Sequence, residues 1–395
     1  MRLALIDPAP LRGERTESLQ FLQLADALAA AGAEVRLLTP RAAGTAEILG
    51  RPVHPGLHLE FLDDPRHGLI YRLLGLSRSN KPFLARLGRW IAAGGLRDVD
   101  AVYVRNLKLA ERLLATPGAP PLFFHAHEHF ARVFREEHDL GRWRERRRLA
   151  ALTAREGGVY RGAAGIVATV SPIVADIRAD YGADLPALVV PNGVDLEAVR
   201  AVRADVAVRP AGRVSALYLG SLHPWKGVET VLRAMPRARS RVDLVIVGGE
   251  PHRVQELEQL ARELGVADCV RLLGPTPPAR RFEAIAAADL ALLPLTARSG
   301  MASRYTSPLK LFEYMAMGKA ILASDLPTVR DIVKPGMDAV LAAPDQPEAW
   351  ADALLALAVD APLRARLGSA AAAAASACGW EQRAATILTW MRGRL

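Results

Sequence analysis

Short apolar runs alternate with longer stretches of helical periodicity along most of this sequence. Such alternation is typical of βαβ units, in which helices join parallel strands. The first series of predicted strands is Leu3–Ile6, Glu34–Leu38, Ala101–Val104, Leu122–Phe124, Gly165–Val170 and Leu188–Val190. The second series is Val214–Leu219, Asp243–Val247, Val270–Leu273, Leu290–Leu293, Ala320–Ala323 and Ala339–Leu341. The pattern predicts an α/β protein with two Rossmann-like, doubly wound domains.

The domain boundary is predicted near residue 208, because residues 196–212 lose their periodicity and read as a linker. The N-terminal domain then covers 1–208 and the C-terminal domain 209–379. A last helix begins near Trp380, after a break at Gly379. Open sheets of this kind bind ligands at the carboxyl ends of their strands, so we expect the two domains to face each other across a ligand-binding cleft.

Cysteine content and apolar run lengths limit the compartment. Cys269 and Cys378 form neither a CxxC pair nor a metal-ligand spacing, which favours a reducing cytoplasm. The N-terminal apolar run breaks at Pro8, so it is too short for a signal peptide. Charged residues interrupt the later apolar runs, and no membrane span is predicted.

The formal net charge of +9 is unevenly distributed. Residues 66–112 carry ten Lys or Arg against three Asp or Glu, interleaved with apolar residues, and Arg142–Arg148 reads RWRERRR. One interpretation is a surface that rests on anionic lipid at the inner face of the membrane. The other is a pair of solvated amphipathic helices that cover a core. Nucleic acid is not an expected partner, because the sequence has no base-reading motif or aromatic platform.

Glycine-rich turns follow three strands of the second series. In Leu219–Gly227, LGSLHPWKG, Gly220 and Ser221 permit a tight turn, and Lys226 precedes a helix. A lysine beside free helix N–H groups could clamp a diphosphate, although a plain turn with a solvated charge fits equally well.

The other two turns are less specific. In VGGE, Gly248 and Gly249 would let a ligand approach the backbone, but tight turns use the same pair. In LLGPT, backbone groups around Gly274 and Thr276 could read a nucleobase edge, or could form a simple Gly-Pro turn.

The most informative segment is Ser303–Ser324, SRYTSPLKLFEYMAMGKAILAS. Pro308 suits the first turn of a helix over Leu309–Met317, with Thr306 and Ser307 as cap residues. The N–H groups of Ser307, Leu309 and Lys310, with the Lys310 charge, then form an anion site.

Glu313 lies one turn further into the same helix. A carboxylate beside a phosphate site is repulsive unless it binds hydroxyl groups, and a ribose diol is the obvious partner. The alternative is a first-turn acidic residue that is favoured by the helix dipole alone.

Polar side chains also follow strands of the N-terminal half. Phe123–His129 reads FFHAHEH, and if His125, His127 and His129 shared a face they could bind zinc. A neutral histidine that donates to a sugar hydroxyl fits a strand end better. The remaining candidate ligand-binding residues at such junctions are Arg15, Thr16, Arg105, Asn106 and Glu128.

Taken in order, these motifs resemble the GT-B glycosyltransferases of retaining family 4. The segments that carry the resemblance are FHAHE, VVPNGVD, LGSLHPWKG, LVIVGGEP, LLGP, AADLALLPL and SPLKLFEYMAMGKAILAS, which extend over nearly the whole chain. The resemblance implies that the C-terminal domain binds the nucleotide-sugar and the N-terminal domain the acceptor, with the helix from Trp380 crossing back to the first domain.

The resemblance also implies residue roles. Glu313 would bind the ribose, Lys226 the diphosphate and His127 the donor sugar, and the backbone of Ser307–Lys310 would cradle the distal phosphate. The donor site would also include Gly220, Ser221, Gly248, Gly249, Gly274, Thr276, Arg304, Tyr305, Ser307, Pro308, Leu309 and Lys310. The acceptor site would include Arg15, Thr16, Arg105, Asn106, His127 and Glu128.

Two positions depart from the family pattern. Tyr305 stands where the family often has a first glutamate, and Ser221 where it often has an arginine. The missing arginine removes one phosphate contact, which Arg304 or Lys310 could replace. The missing glutamate puts the contact to the transferred sugar in doubt.

The expected reaction is therefore transfer of a sugar from a UDP- or GDP-sugar to a glycan or lipid-linked acceptor, with retention of anomeric configuration. No DxD motif follows a predicted strand, so neither a metal nor another cofactor is expected. The alternatives are a catalytically silent nucleotide-binding partner subunit, for which Tyr305 and Ser221 argue, and a nucleotide-sugar epimerase.

Overall fold

The computed structural model describes residues 1–11, 16–40, 48–62, 80–182, 184–203, 212–277 and 280–395, with only the backbone of Thr16, Glu17 and Arg203. The chain divides into two compact units. The first comprises Met1–Pro191 and Trp380–Leu395, and the second comprises Asn192–Gly379.

The first unit is built on a seven-stranded parallel sheet in the order β3-β2-β1-β4-β5-β6-β7. Its strands are β1 Arg2–Ile6, β2 Glu34–Pro40, β3 Leu57–Leu62, β4 Ala101–Val104, β5 Leu122–Ala126, β6 Gly165–Ala168 and β7 Ala187–Val189. Its helices are α1 Thr16–Ala30, α2 Lys81–Ala92, α3 Leu107–Leu114, α4 Phe130–Glu137, α5 Trp143–Gly162 and α6 Ser171–Tyr181. The central strands β4, β5 and β6 are buried at every position, as a sheet covered on both faces requires.

The second unit is built on a six-stranded parallel sheet in the order β10-β9-β8-β11-β12-β13. Its strands are β8 Val214–Leu219, β9 Val242–Val247, β10 Val270–Leu272, β11 Leu290–Leu293, β12 Ala320–Ser324 and β13 Val340–Ala342. Its helices are α7 Leu196–Arg203, α8 Val228–Ala238, α9 Pro251–Glu263, α10 Arg281–Ala286, α11 Leu309–Ala316, α12 Pro327–Arg330, α13 Pro347–Val359 and α14 Ala361–Ala375. Relative to its own first strand this is the 3-2-1-4-5-6 order of a doubly wound fold.

The structural boundary precedes the predicted one. The chain enters the second unit at Asn192, whereas the predicted boundary near 208 lies outside the described residues. The backbone N–H of Asn192 donates to Ser307 Oγ at 3.1 Å, and Val194 bridges to Gly379, so the segment packs onto the second sheet. The predicted linker also contains α7, whose Val199 is 3% exposed.

The last helix, α15 Trp380–Arg392, belongs to the first unit although the residues before it belong to the second. The Trp390 ring packs edge-on against Phe123, with ring centroids 5.7 Å apart. Gly165 makes this contact possible, because a Cβ there would lie 2.3 Å from the Trp390 ring. The helix therefore completes the core of a sheet whose last strand, β7, ends at Val189, before the whole second unit.

Candidate functional site

The strand order of the second sheet reverses between β8 and β11. Connections from two such strands leave toward opposite faces of the sheet, which opens a crevice at their carboxyl ends. The loop after β8 contains Gly220–Gly227, and the loop after β11 leads to α11. The two loops touch where Gly227, at φ +69°, would place a Cβ only 1.7 Å from the Pro294 carbonyl oxygen.

Three glycine turns meet at the carboxyl ends of β8, β9 and β10. Gly220 N–H donates to Val247 O at 2.8 Å, and Gly248 N–H donates to Gly274 O at 2.6 Å. A Cβ on Gly248 would lie 2.3 Å from Gly220 O. The structure therefore brings together Gly220, Gly248 and Gly274, and the glycines are there for close backbone packing as well as for any ligand.

Lys310 extends from α11 into this group of turns. Its Nζ is buried and has no hydrogen-bond partner among the residues that the structure describes. It lies 3.9 Å from the centroid of the Tyr218 ring, and a Cβ on Gly220 would approach it to 2.7 Å. Burial, and then the charge of Lys226, hold the pKa of Lys310 well below its usual range, while Glu313 acts in the opposite direction.

Lys226 belongs to the loop after β8 and lies close enough to Lys310 for its charge to act on it. It ends a short turn of 3-10 helix, Pro224–Lys226, and its Nζ lies 3.6 Å from the Trp225 ring centroid. Ser221 is exposed, and its carbonyl oxygen accepts a hydrogen bond from Tyr218 Oη at 2.6 Å. Lys310 of α11 and Lys226 of the loop after β8 thus lie near the same glycine turn, and two neighbouring lysines suit a polyanion.

Glu313 is buried on α11 and is held by Arg281, the first residue of α10. Arg281 Nε donates to Glu313 Oε1 at 2.6 Å, and the two side chains are 11% and 9% exposed. Sequence reasoning missed Arg281 entirely. Its partner is 32 residues away, and two arginines at a helix start carry no distinctive signal.

The start of α11 differs from the prediction. Pro308 itself precedes the first helical residue, so Thr306 and Ser307 are not its cap residues. Ser307 instead binds Asn192, whose N–H donates to Ser307 Oγ and whose Nδ2 donates to Ser307 O at 2.8 Å. The physical reason is that the Pro308 backbone is itself extended, at φ −73° and ψ 113°, so Pro308 is the N-cap residue and the helix begins at Leu309. Asn192, which sequence reasoning included only within the segment VVPNGVD, therefore fixes this loop.

Two further predicted donor residues, Arg304 and Tyr305, lie in a single turn of π-helix, Met301–Tyr305. The Arg304 side chain is exposed, whereas Tyr305 is 2% exposed and contributes to the core. Single π turns are frequent at functional sites. Gly249 makes room for Leu222, and the half-buried Thr276 follows Gly274 after β10.

The first sheet has its own reversal point, between β1 and β4. Asp7 follows β1 and Arg105 follows β4, and Arg105 Nε donates to Asp7 Oδ2 at 2.5 Å. Asn106 caps α3 by accepting a hydrogen bond from the Leu109 N–H at 3.1 Å. Both predicted residues therefore have structural partners. Arg15, and the side chain of Thr16, lie outside the described residues.

His127 and Glu128 follow β5 at the same edge. Loss of solvation and the charge of Arg105 lower the pKa of His127 to about 4, although the residue keeps contact with solvent. Burial, with the charges of Glu137 and Glu156, raises the pKa of Glu128 to about 7. His127 is thus a neutral imidazole at physiological pH.

The expectation that three histidines could share a face is wrong. His129 is fully buried and caps α4, with its Nε2 3.2 Å from Asp180 and its ring stacked on Tyr181. His129 is the N-cap residue that precedes α4 and lies beyond the end of β5, so strand alternation does not apply to it. Among the described residues, no group of three or more His, Cys, Asp or Glu is placed to hold a metal ion.

The basic surface is only partly described. In α2 the apolar residues Phe83 and Leu87 are buried, so this helix covers a core; residues 66–79 lie outside the description. At the start of α5, Trp143 is 60% exposed. The side chains of Arg142 and Arg148 are 77% and 69% exposed. Within the described part of the chain, no helix has the length and apolar character needed to span a bilayer.

Two family models match this chain. The model for "Glycosyltransferase Family 4" matches residues 19–198, and the model for "Glycosyl transferases group 1" matches residues 213–360. The chain belongs to glycosyltransferase family 4. Neither the silent-subunit nor the epimerase alternative is favoured by these matches.

Curated relatives of this family 4 chain include D-inositol 3-phosphate glycosyltransferases. The protein from Xylanimonas cellulosilytica is 32% identical over 247 residues, which is 59% of this chain and 58% of the relative. The protein from Nocardia farcinica is 32% identical over 223 residues, 53% of this chain and 48% of the relative. The chain thus spans about half the length of these relatives.

Solved glycosyltransferase structures share the fold over the full chain. HepE from Anabaena, solved in complex with UDP and glucose, has a TM-score of 0.70 at 18% identity, covering 100% of this chain and 99% of that one. The sucrose-phosphate synthase from Thermosynechococcus elongatus has a TM-score of 0.76 at 20% identity, covering 99% and 98%. The two-sheet α/β arrangement is therefore the GT-B fold.

Proposed function

We propose that this chain transfers a sugar from a nucleotide-sugar to a glycan or lipid-linked acceptor, with the nucleotide bound in the second unit. The observation that carries the proposal is the buried Lys310 Nζ at the reversal point of the second sheet, without a partner among the described residues and close to Lys226. A buried cation of this kind is costly unless an anion pairs with it. A diphosphate supplies that anion, and helix-end N–H groups add to its binding.

The diphosphate, the ribose and the base of the donor are each assigned to residues whose chemistry suits them. Lys310 and Lys226 neutralise the diphosphate and stabilise the charge that develops on the leaving group, which is often the largest catalytic contribution. Glu313 accepts hydrogen bonds from the ribose hydroxyls. Backbone groups near Gly274 contact the base. The solved neighbours with UDP and with UDP-glucose make a UDP-sugar the first donor to test.

The acceptor is assigned to the first unit, at the carboxyl ends of β4 and β5. The neutral His127 donates a hydrogen bond to a sugar hydroxyl, and Glu128 and the Asp7–Arg105 pair line the same edge. Transfer proceeds on one face of the sugar. The departing phosphate accepts the proton of the acceptor hydroxyl, and the anomeric configuration is retained.

A thermal-shift panel of UDP-, GDP- and ADP-sugars tests the donor assignment. A true donor stabilises the protein by mass action, and Glu313→Ala should abolish that shift. The matched control is Glu283→Ala, since Glu283 is 53% exposed and forms only a surface pair with Arg280. If no nucleotide-sugar stabilises the wild type, or Glu313→Ala binds unchanged, the donor site is wrongly assigned.

Turnover of the stabilising donor separates an enzyme from a silent subunit. Slow hydrolysis or transfer, followed by ¹H NMR, should release a product with the anomeric configuration of the donor. A product of inverted configuration contradicts the same-face mechanism. Stable donor binding without any turnover in the presence of acceptor glycans supports the silent subunit, in which Tyr305 replaces a needed carboxylate.

A membrane surface is the proposed location of the acceptor. The exposed Trp143 and the arginines around it combine an aromatic ring with positive charge, which suits an anionic lipid headgroup layer. Vesicles of phosphatidylglycerol should sediment the protein, and vesicles of phosphatidylcholine should not. Replacing Trp143 and Arg144 by Ser should weaken sedimentation, and unchanged sedimentation contradicts the assignment.

A further inference from the structure

We propose that Arg281 is a positioning residue that orients the Glu313 carboxylate toward the ribose and thereby sets the preference for a ribonucleotide over its deoxy analogue. The inference rests on the proposed function, because it takes Glu313 as the ribose ligand. Arg281 lies on α10. Lys310 and Glu313 lie on α11, and Lys226 lies in the loop after β8.

The contact between the two side chains is short and buried. Arg281 Nε donates to Glu313 Oε1 at 2.6 Å, and both side chains are about nine-tenths buried. The Arg281 guanidinium lies over the Phe282 ring, 4.2 Å from its centroid. A charge-assisted hydrogen bond from a group that is itself stacked restricts the carboxylate to one orientation. A ligand hydroxyl therefore meets a fixed acceptor rather than a mobile one.

Arg280, the residue before Arg281, provides a comparison, because its ion pair lies on the protein surface. Arg280 Nε pairs with Glu283 at 2.8 Å, but those side chains are 68% and 53% exposed. Exposed pairs of this kind contribute little. Two successive arginines thus form ion pairs of 2.6 and 2.8 Å in opposite environments, and only the buried pair involves the proposed ribose ligand.

The ion pair between Arg281 and Glu313 also changes the net charge that a bound diphosphate would meet. An unpaired carboxylate beside Lys310 would repel a diphosphate, whereas the Arg281–Glu313 pair is neutral and leaves the two lysines to the phosphates. An ionised carboxylate offers about four acceptor positions. One hydrogen bond from Arg281 Nε leaves capacity for both ribose hydroxyls.

Isothermal titration with UDP and 2′-deoxy-UDP tests the inference in the full chain. Wild type should prefer UDP by about tenfold or more, since a hydrogen bond to a charged group is at stake. Arg281→Ala should bring the ratio of the two dissociation constants close to one. Arg281→Lys should reduce it about threefold, because an ammonium lacks the planar fork. Arg280→Ala, the matched control, should keep the wild-type ratio.

The ratio distinguishes positioning from stability, since a merely destabilised protein would lose affinity for both ligands equally. If Glu313→Ala loses the preference while Arg281→Ala keeps it, Arg281 is not a positioning residue and the ribose assignment stands. A wild type that binds UDP and 2′-deoxy-UDP equally, or neither, overturns both. Should Arg281→Ala fail to fold, a wild-type ratio in Arg281→Lys overturns the inference.

Discussion

Lys310 is the residue on which the donor site depends most. A lysine at the start of a helix ordinarily extends into solvent, but this one lies under the Tyr218 ring in a space that exists because residue 220 is glycine. Ser221 stands where the family resemblance implies an arginine. Lys310 therefore adds, from α11, a second lysine to Lys226 of the loop after β8.

Binding of a diphosphate should raise the depressed pKa of Lys310. The protein then takes up a proton when UDP binds, because UDP prefers the charged form of Lys310. The affinity for UDP falls as the pH rises through the pKa that Lys310 has in the free protein. Titrations above about pH 7.5, where the phosphates are ionised, in buffers of different ionisation enthalpy measure this uptake.

Lys310→Met should bind UDP more weakly and without proton uptake. Lys108→Met, at an exposed lysine of α3, should behave as wild type. Equal proton uptake in wild type and Lys310→Met would show that another group titrates.

His127 should act as a neutral donor throughout the physiological range, because its pKa is about 4. His127→Ala should lower kcat/KM for the best donor by about tenfold, the value of one hydrogen bond, and His127→Gln should retain more activity. The dissociation constant for UDP should not change in either variant, since the residues proposed to bind UDP belong to the second unit. A rate that titrates with the imidazole above pH 6 would contradict a neutral donor.

Residues in short motifs could be predicted from the sequence, and residues that act through tertiary contacts could not. Gly220, Lys226 and Lys310 were predicted, and the structure brings them together. Arg281 and Asn192 were missed because each reaches its partner across more than thirty residues of chain. Their sequence neighbourhoods, two arginines and a PNG turn, have common structural explanations.

At the scale of elements, the start of α4 depends on a residue of α5. Both oxygens of the buried Glu156 carboxylate accept backbone N–H groups, from Phe130 and Ala131 at 2.9 Å each. Tyr160 and Tyr181 donate their hydroxyls to the same carboxylate at 3.0 and 2.8 Å. Because α4 begins directly after His127 and Glu128, Glu156 also fixes the loop that carries them.

Glu156→Gln should destabilise the first unit by about 3 kcal/mol, because an amide NH₂ would face groups that donate. Urea unfolding measures the loss, and transfer to acceptor should fall with it. Glu111→Gln is the matched control, since Glu111 pairs with Arg155 at 52% side-chain exposure. An unchanged unfolding free energy in Glu156→Gln would show that the tyrosines and water replace the carboxylate.

Elements with strong periodicity were predicted closely, including β4, β8 and β11 to the residue. The edge strand β3 was missed, since it pairs only with β2 and only Leu57 in it is fully buried. The helix α7 was taken for linker because it has only eight residues, three of them charged, so its apolar face repeats over little more than two turns. Short elements such as these contain few repeats of a helix or strand period, so their sequence pattern is hard to distinguish from that of a loop.

At the scale of the molecule, two doubly wound units are joined where the chain crosses at 191/192 and again at 379/380. Each unit places polar side chains at its own reversal point: Lys226 and Lys310 in the second, Asp7 and Arg105 in the first. The proposed donor site therefore has two lysines, whereas the two charged side chains at the proposed acceptor site form an ion pair with each other. The sequence order of motifs predicted this division, but not which residues pair within each site.

Hydrogen exchange followed by mass spectrometry, with and without UDP, tests the central claim that the nucleotide binds at the reversal point of the second sheet. The account predicts that exchange slows most in residues 219–227, 248–250 and 307–313, and that Lys310→Met removes this protection. Slowing that is greatest at the strand ends of the first unit, 104–106 and 125–129, or absent from the three predicted segments, would contradict it.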